Sequence, residues 1–159
     1  GLAQQHVLSA SRVVTEKLND NQVKLVGFKN LTVSLSNLYG ETVILPKYVG
    51  GAKVVNVSID YNNSSYVKKM KKMESVAFPD SVTEIGAYSF GTDGTTGKNS
   101  SLKEVIISQN IDKIGDYAFT SVSDMSVYVE LDYLGSQAYQ IHCGATPFAS
   151  EKKLTLSCI

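Results

Sequence analysis

The stretch SVTEIGAYSF at residues 81–90 returns as NIDKIGDYAF at 110–119, and no other feature restricts the possible folds so tightly. Aligning the chain with itself extends the match on both sides. One copy carries Met73, Val76, Phe78, Val82, Ile85, Gly86, Ser89 and Phe90, and the next carries Leu102, Val105, Ile107, Ile111, Ile114, Gly115, Ala118 and Phe119. A third copy reads Val122, Met125, Val127, Leu131, Leu134, Gly135, Ala138 and Tyr139 with the same internal spacing. An earlier, degenerate copy begins at Val43, Leu45 and Pro46 and continues through Val54 and Val57 across a Gly-Gly turn. A self-similar unit of this length cannot bury its own apolar face, so it must stack on its neighbours, as in a solenoid.

Within a unit, Val105 and Ile107 alternate as in a strand with one buried face, which leaves Glu104, Ile106 and Ser108 outward. Pro79 ends its strand for want of an N–H. Ile111 and Ile114 fill the opposite wall. Gly115 marks a point that needs either a positive φ or room that a Cβ would take. The expectation is a β-rich repeat solenoid, a short right-handed coil with one short strand per repeat. Its units lie near 43–57, 73–90, 102–119 and 122–139, with a partial unit at 153–159.

Residues 1–41 read as an N-terminal cap or linker ahead of a repeat domain at 42–159. Val7, Ala10, Val14 and Leu18 fall at helical spacing, so an α-helix is expected over 3–18 with NDN at 19–21 as its stop. Val23 and Leu25, then Leu31, Val33 and Leu35, alternate as a β-hairpin would, with a turn at 37–40.

At these residues the sequence resembles the BspA-like leucine-rich repeat family, whose unit runs Leu-x-x-Val-x-Ile-Pro-x-x-Val-x-x-Ile-Gly-x-x-Ala-Phe. MESVAFPDSVTEIGAYSF and LKEVIISQNIDKIGDYAF follow that pattern closely, and VSDMSVYVELDYLGSQAY follows it in spacing. The earliest copy departs from it, with Val57-Ser58 in place of Ile-Gly and no Ala-Phe ending. The resemblance implies a secreted or cell-surface bacterial repeat domain that mediates adhesion without catalysis. Its partner would be a protein or a glycan, host extracellular matrix included. A structural spacer within a larger surface protein, with no ligand of its own, is the alternative.

The remaining chemistry is sparse. Fifteen basic residues balance fifteen acidic ones, so the chain lacks the net attraction that nucleic acid or an anionic membrane uses. No apolar run is long enough to span a bilayer, and the start at Gly1 is read as a trimmed one from which a targeting segment has been removed. His6, His142, Cys143 and Cys158 offer no metal-ligand spacing, and the glycines of GTDGTTGKNS at 91–100 do not form a phosphate loop. No catalytic residue, metal or cofactor is expected. Cys143 and Cys158 form either one bridge or two free thiols, and a bridge would cap the open C-terminal end, which is otherwise suited to end-to-end self-association. KKMKK at 68–72 reads as a solvated loop between repeats rather than a nucleic-acid patch. By elimination, the candidate binding surface is the outward strand ladder: Ser75 and Ala77, then Glu104, Ile106 and Ser108, then Ser126, Tyr128 and Glu130.

Overall fold

The computed structural model describes residues 7–90, 101–119, 126–130 and 142–143. A short 3-10 turn (Ala10–Arg12) leads into β1 (Val13–Asn19) and β2 (Gln22–Phe28), followed by α1 (Leu35–Tyr39), β3 (Thr42–Ile44), β4 (Tyr48–Val49) and β5 (Ala52–Val57). Next come α2 (Ser64–Met70), β6 (Ser75–Ala77), β7 (Glu84–Ile85), β8 (Glu104–Ser108), β9 (Lys113–Ile114), β10 (Ser126–Glu130) and β11 (His142–Cys143).

These strands build two parallel ladders between which the chain alternates. The first runs β3-β6-β8-β10 and the second β2-β5-β7-β9-β11, with β1 antiparallel on the outer edge of β2 and β4 antiparallel to β5. Each repeat therefore contributes two strands, one to each ladder, and not the single strand expected. The two-residue strands β7 and β9 are too short to show alternation, which is why the sequence pattern concealed them. Gly50 and Gly51, at φ 57° and 80°, form the turn that folds β4 back on β5.

The core lies between the ladders. Val43, Val76, Val105 and Val127 share one register row and are all buried. Leu25, Val57, Ile85 and Ile114 form the facing row. Phe90 stacks on Phe119 with centroids 5.7 Å apart, and Phe78 meets both rings edge-on. Ser89 occupies the place of Ala118 one repeat earlier. Its buried hydroxyl donates to the Gly86 carbonyl at 2.7 Å and accepts from the Ile59 N–H at 3.2 Å, so the polar group is satisfied.

The glycine of the repeat is there for space. Neither Gly86 nor Gly115 has a positive φ. A Cβ on Gly115 would fall 2.9 Å from both Ala87 Cα and Gly86 C, and closer still to Ala87 N. Positive φ occurs two residues on, at Tyr88 (60°) and Tyr117 (56°). Ser58 stands where the earliest copy lacks the glycine, and its side chain occupies the space that Gly86 leaves open.

Residues 7–18 do not form the expected N-terminal α-helix, and residues 3–6 of that expectation lie outside the described residues. Residues 13–19 are strand β1, because Val13, Val14 and Thr15 are β-branched and stiff at χ1. Asp20 and Asn21 then make a two-residue hairpin turn, with the Asn21 N–H donating to Asn19 Oδ1. The segment caps both ladders: β2 adds to β5, and Val7 bridges Ile44 in parallel, with the Leu8 N–H donating to the Ile44 carbonyl at 2.7 Å. Residues 31–34 are not strand, and 35–39 are helix α1, closed by Gly40 at φ 75°.

The third copy is also re-registered. β11 pairs with β9 so that Cys143, not Leu134, lies opposite Ile114. Cys143 follows Val127 by sixteen residues where Ile114 follows Val105 by nine, so the extra residues fall inside this repeat. The sequence carries the signal. Cys143-Gly144 with Phe148 repeats the spacing of Ile114-Gly115 with Phe119, and the 29-residue period from Ile85 to Ile114 continues to Cys143.

Candidate macromolecular interface

The first ladder sets its outward residues in rows. Ile44, Ala77, Ile106 and Tyr128 are consecutive Cα partners, and Val7 extends the row through its bridge to Ile44. Five strands at about 4.8 Å make an apolar row on the order of 19 Å long. Its ends, Val7 and Tyr128, are each 53% exposed, and the three residues between them are half-buried. A second row holds Thr42, Ser75, Glu104 and Ser126, and a third begins with Ser108 opposite Glu130.

All eight residues expected on the ladder are thus brought into register, but they are not equally available. Ser75 is 6% exposed and Ser108 4%, so neither is offered to a partner, contrary to the expectation. The Ser75 hydroxyl donates to Glu104 Oε1 at 3.1 Å and so orients that carboxylate, while Ser108 Oγ accepts from the Asn110 N–H. Ala77, Glu104 and Ile106 are partly exposed, and Tyr128 is the most exposed of the four. Ser126 and Glu130 are placed by backbone register alone.

Past the end of β3 the apolar row opens into a groove of about 520 Å³ lined by Val7, Ala10, Ile44, Pro46, Tyr48 and Pro79. Tyr48 is 53% exposed. Lys47 at the rim pairs with Asp80 at 2.8 Å and lies 5.9 Å from the Tyr48 ring centroid. The hydrogen bond to Asp80 raises the Lys47 pKa, so its ammonium stays charged. The sequence reading missed this extension because residues 3–18 were expected to be helical. Matching Val43, Leu45 and Pro46 to Val76, Phe78 and Pro79 already put Ile44 at the Ala77 position.

The second ladder is outwardly different. Asn56, Glu84 and Lys113 lie in one row, where Asn56 Nδ2 donates to Glu84 Oε2 at 3.0 Å and Lys113 pairs with Glu84 at 3.3 Å. Those polar groups are spent on one another across successive repeats. The row on the first ladder is apolar and has no such internal use.

The remaining sequence candidates fall elsewhere. KKMKK is only partly the expected loop: Lys71 and Lys72 lie in an exposed turn, but Lys68 and Lys69 are in α2, whose first turn is capped by the Asn63 side chain accepting from the Ser65 and Tyr66 N–H groups. His6 and Cys158 lie outside the described residues, as do the side chains of His142 and Cys143, so the Cys143–Cys158 pairing and the strand at 153–157 fall there too. Among the described residues no helix is long and apolar enough to cross a membrane, and no three His, Cys, Asp or Glu side chains converge as metal ligands would.

A family model described as a BspA type leucine-rich repeat region (6 copies) matches residues 63–146, more than half of the chain. The chain belongs to this family. The match runs through Cys143 and so includes the re-registered strand β11. Searches of curated proteins and of solved structures returned no match. Leucine-rich repeats of this kind are generally protein-binding and typically non-catalytic.

Proposed function

We propose that this is a non-catalytic solenoid domain, displayed at a cell surface or secreted, that adheres to a protein partner through the outer face of its first ladder. The observation that carries this reading is the unbroken apolar row from Val7 to Tyr128, continuous with the groove at Pro46 and Tyr48, beside a second ladder whose polar rows are internally paired. Ile106 and, at the end of the row, Tyr128 supply apolar area, with Glu104 held beside Ile106 by Ser75. An aromatic anchor flanked by an oriented charge is a common arrangement at interface hot spots. Ala77, between Ile44 and Ile106, is the smallest side chain of the row. Ser126 and Glu130 extend the face at its β10 edge.

The test measures binding of the domain to a panel of purified extracellular-matrix proteins by surface plasmon resonance, beside an Ile106→Glu, Tyr128→Ala variant with an unchanged melting temperature. Saturable binding that the variant weakens at least tenfold is the expected result. A folded domain that binds nothing on the panel would favour a spacer role, and binding that the variant leaves intact would move the interface off this face.

A further inference from the structure

The lysines after Asn63 lie away from the apolar row and form a second feature of different chemistry. A cavity of about 690 Å³ opens beside α2, lined by Tyr61, Asn62, Ser64, Lys68, Lys69 and Lys71, with Ser65 and Val67 completing its wall. That volume suits a small ligand. Lys17, Lys24, Lys47, Lys103 and Lys113 each have a carboxylate within 3.6 Å, whereas Lys68, Lys69, Lys71 and Lys72 have none within ion-pair distance among the described residues. In a chain of zero net charge, four lysines within five residues, with no carboxylate paired to them among the described residues, make a local positive field. The C-terminal end of the α2 dipole favours cations at Lys68 and Lys69, but like charges three and four residues apart work against the arrangement. The side-chain amide of Asn62 and the hydroxyls of Ser64 and Ser65 also have no partner among the described residues.

Tyr61 gives the cavity a rigid flat wall. It is 41% exposed, and its ring packs at 4.7 Å against Tyr88, which stacks on Tyr117 at 5.2 Å and 23°. Tyr88 and Tyr117 both hold a left-handed backbone, which a bulky side chain adopts only when its surroundings fix it. The stack braces Tyr61 from one side, so the ring meets a ligand with little conformational freedom to lose.

We propose that this cavity binds an acidic saccharide: the lysines take its sulfate or carboxylate groups, Asn62, Ser64 and Ser65 hydrogen-bond its hydroxyls, and a sugar ring lies against Tyr61. Two features favour a saccharide over nucleic acid. The patch is a seven-residue helix and the residues beside it, about 10 Å at 1.5 Å per residue, too short to track a phosphate backbone. It also presents one aromatic platform where single-stranded nucleic acid uses several.

The test is isothermal titration of the whole chain in 50 mM salt with four probes: a heparin-derived sulfated tetrasaccharide, a hyaluronan-derived uronate tetrasaccharide, neutral maltotetraose and an oligothymidylate. Saturable binding of the sulfated or the uronate probe, but not of maltotetraose, is expected, and the probe that binds identifies the anionic group. Replacing Lys68, Lys69 and Lys71 by Gln should weaken binding at least tenfold. Tyr61→Ala should weaken it about threefold or more while Tyr61→Phe leaves it unchanged. Lys29→Gln, Lys53→Gln, which removes two exposed lysines elsewhere, serves as the charge control. The proposal is overturned if neither acidic saccharide binds, if the control variant loses as much affinity as the triple one, or if oligothymidylate binds as tightly as either saccharide. Because these residues lie apart from the row Val7 to Tyr128, the Ile106→Glu, Tyr128→Ala variant should bind the saccharide normally.

Discussion

Gly115→Ala places a methyl group where two successive repeats have backbone against backbone. The new Cβ would meet Ala87 Cα and Gly86 C at 2.9 Å, against ordinary contacts of 3.4 Å or more, and its nearest neighbours are all backbone atoms, which cannot rotate away. Relief therefore requires the repeats to separate locally. That strains the hydrogen bonds from Gly115 N to the Ile85 carbonyl (2.8 Å), from Tyr88 N to Asp116 (2.9 Å) and from Phe90 N to Ala118 (2.8 Å). Overpacking of this sort costs about 1–3 kcal/mol, and a net contribution of about 1 kcal/mol for each weakened hydrogen bond gives a similar figure. The alanine regains about 0.4–1 kcal/mol by restricting the unfolded chain. The expected loss is about 2 kcal/mol, or roughly 4–8 °C in melting temperature for a chain of this size. Gly86→Ala provides the contrast, since its Cβ would meet the Ser58 side chain, with Ser58 Cβ at 2.6 Å. Ser58→Gly removes that obstacle, so the pair should couple favourably by about 1 kcal/mol in a double-mutant cycle followed by urea denaturation. A Gly115→Ala variant as stable as the parent, or additive effects at Gly86 and Ser58, would refute the close-packing account.

Ser89→Ala should cost about 1–3 kcal/mol even though the next repeat has Ala118 at the same place, because Ile59 N would lose its buried acceptor; urea denaturation at constant m-value reads the loss. Asn63→Ala removes the acceptor for Ser65 N and Tyr66 N and should cost about 1 kcal/mol, with Asn63→Asp restoring it, as measured by thermal unfolding. Phe90→Ala empties the space between Phe78 and Phe119 and should cost about 3–5 kcal/mol; retained stability would mean that the three rings do not form one cluster.

The repeat was legible wherever one residue type has one role. Val76, Phe78, Val82, Ile85 and Phe90, and their counterparts from Val105 to Phe119, are all buried as the spacing implies. Gly115 left two readings open, and only the position of Ala87 beside it decides between them. The N-terminal segment misled because Val7, Ala10, Val14 and Leu18 satisfy a helical period by coincidence. Period is a weak guide where a segment lies on an edge, since Leu18 is 49% exposed and few apolar contacts fix its face. The third repeat misled for the opposite reason. Leu134-Gly135 imitates Ile114-Gly115, so a local match outweighed the longer-range one at Cys143-Gly144, and only strand pairing separates the two.

The site was half legible for a related reason. Alternation shows which residues of a strand point outward, and all eight ladder residues lie on the predicted rows. Alternation does not show what lies over them. Ser75 and Ser108 lie on the outward rows yet are buried; Ser75 is a short side chain beside a longer one in the next repeat, Glu104, to which it is hydrogen-bonded. Exposure on a stacked ladder thus depends on differences in side-chain length between repeats. Where a donor, an acceptor and a donor follow one another, as along Asn56, Glu84 and Lys113, neighbours pair and the row closes on itself. Where an alanine interrupts a row of larger apolar side chains, as Ala77 does between Ile44 and Ile106, the row stays open. On the function proposed above, the partner face is the one whose row has no such pairing between successive repeats.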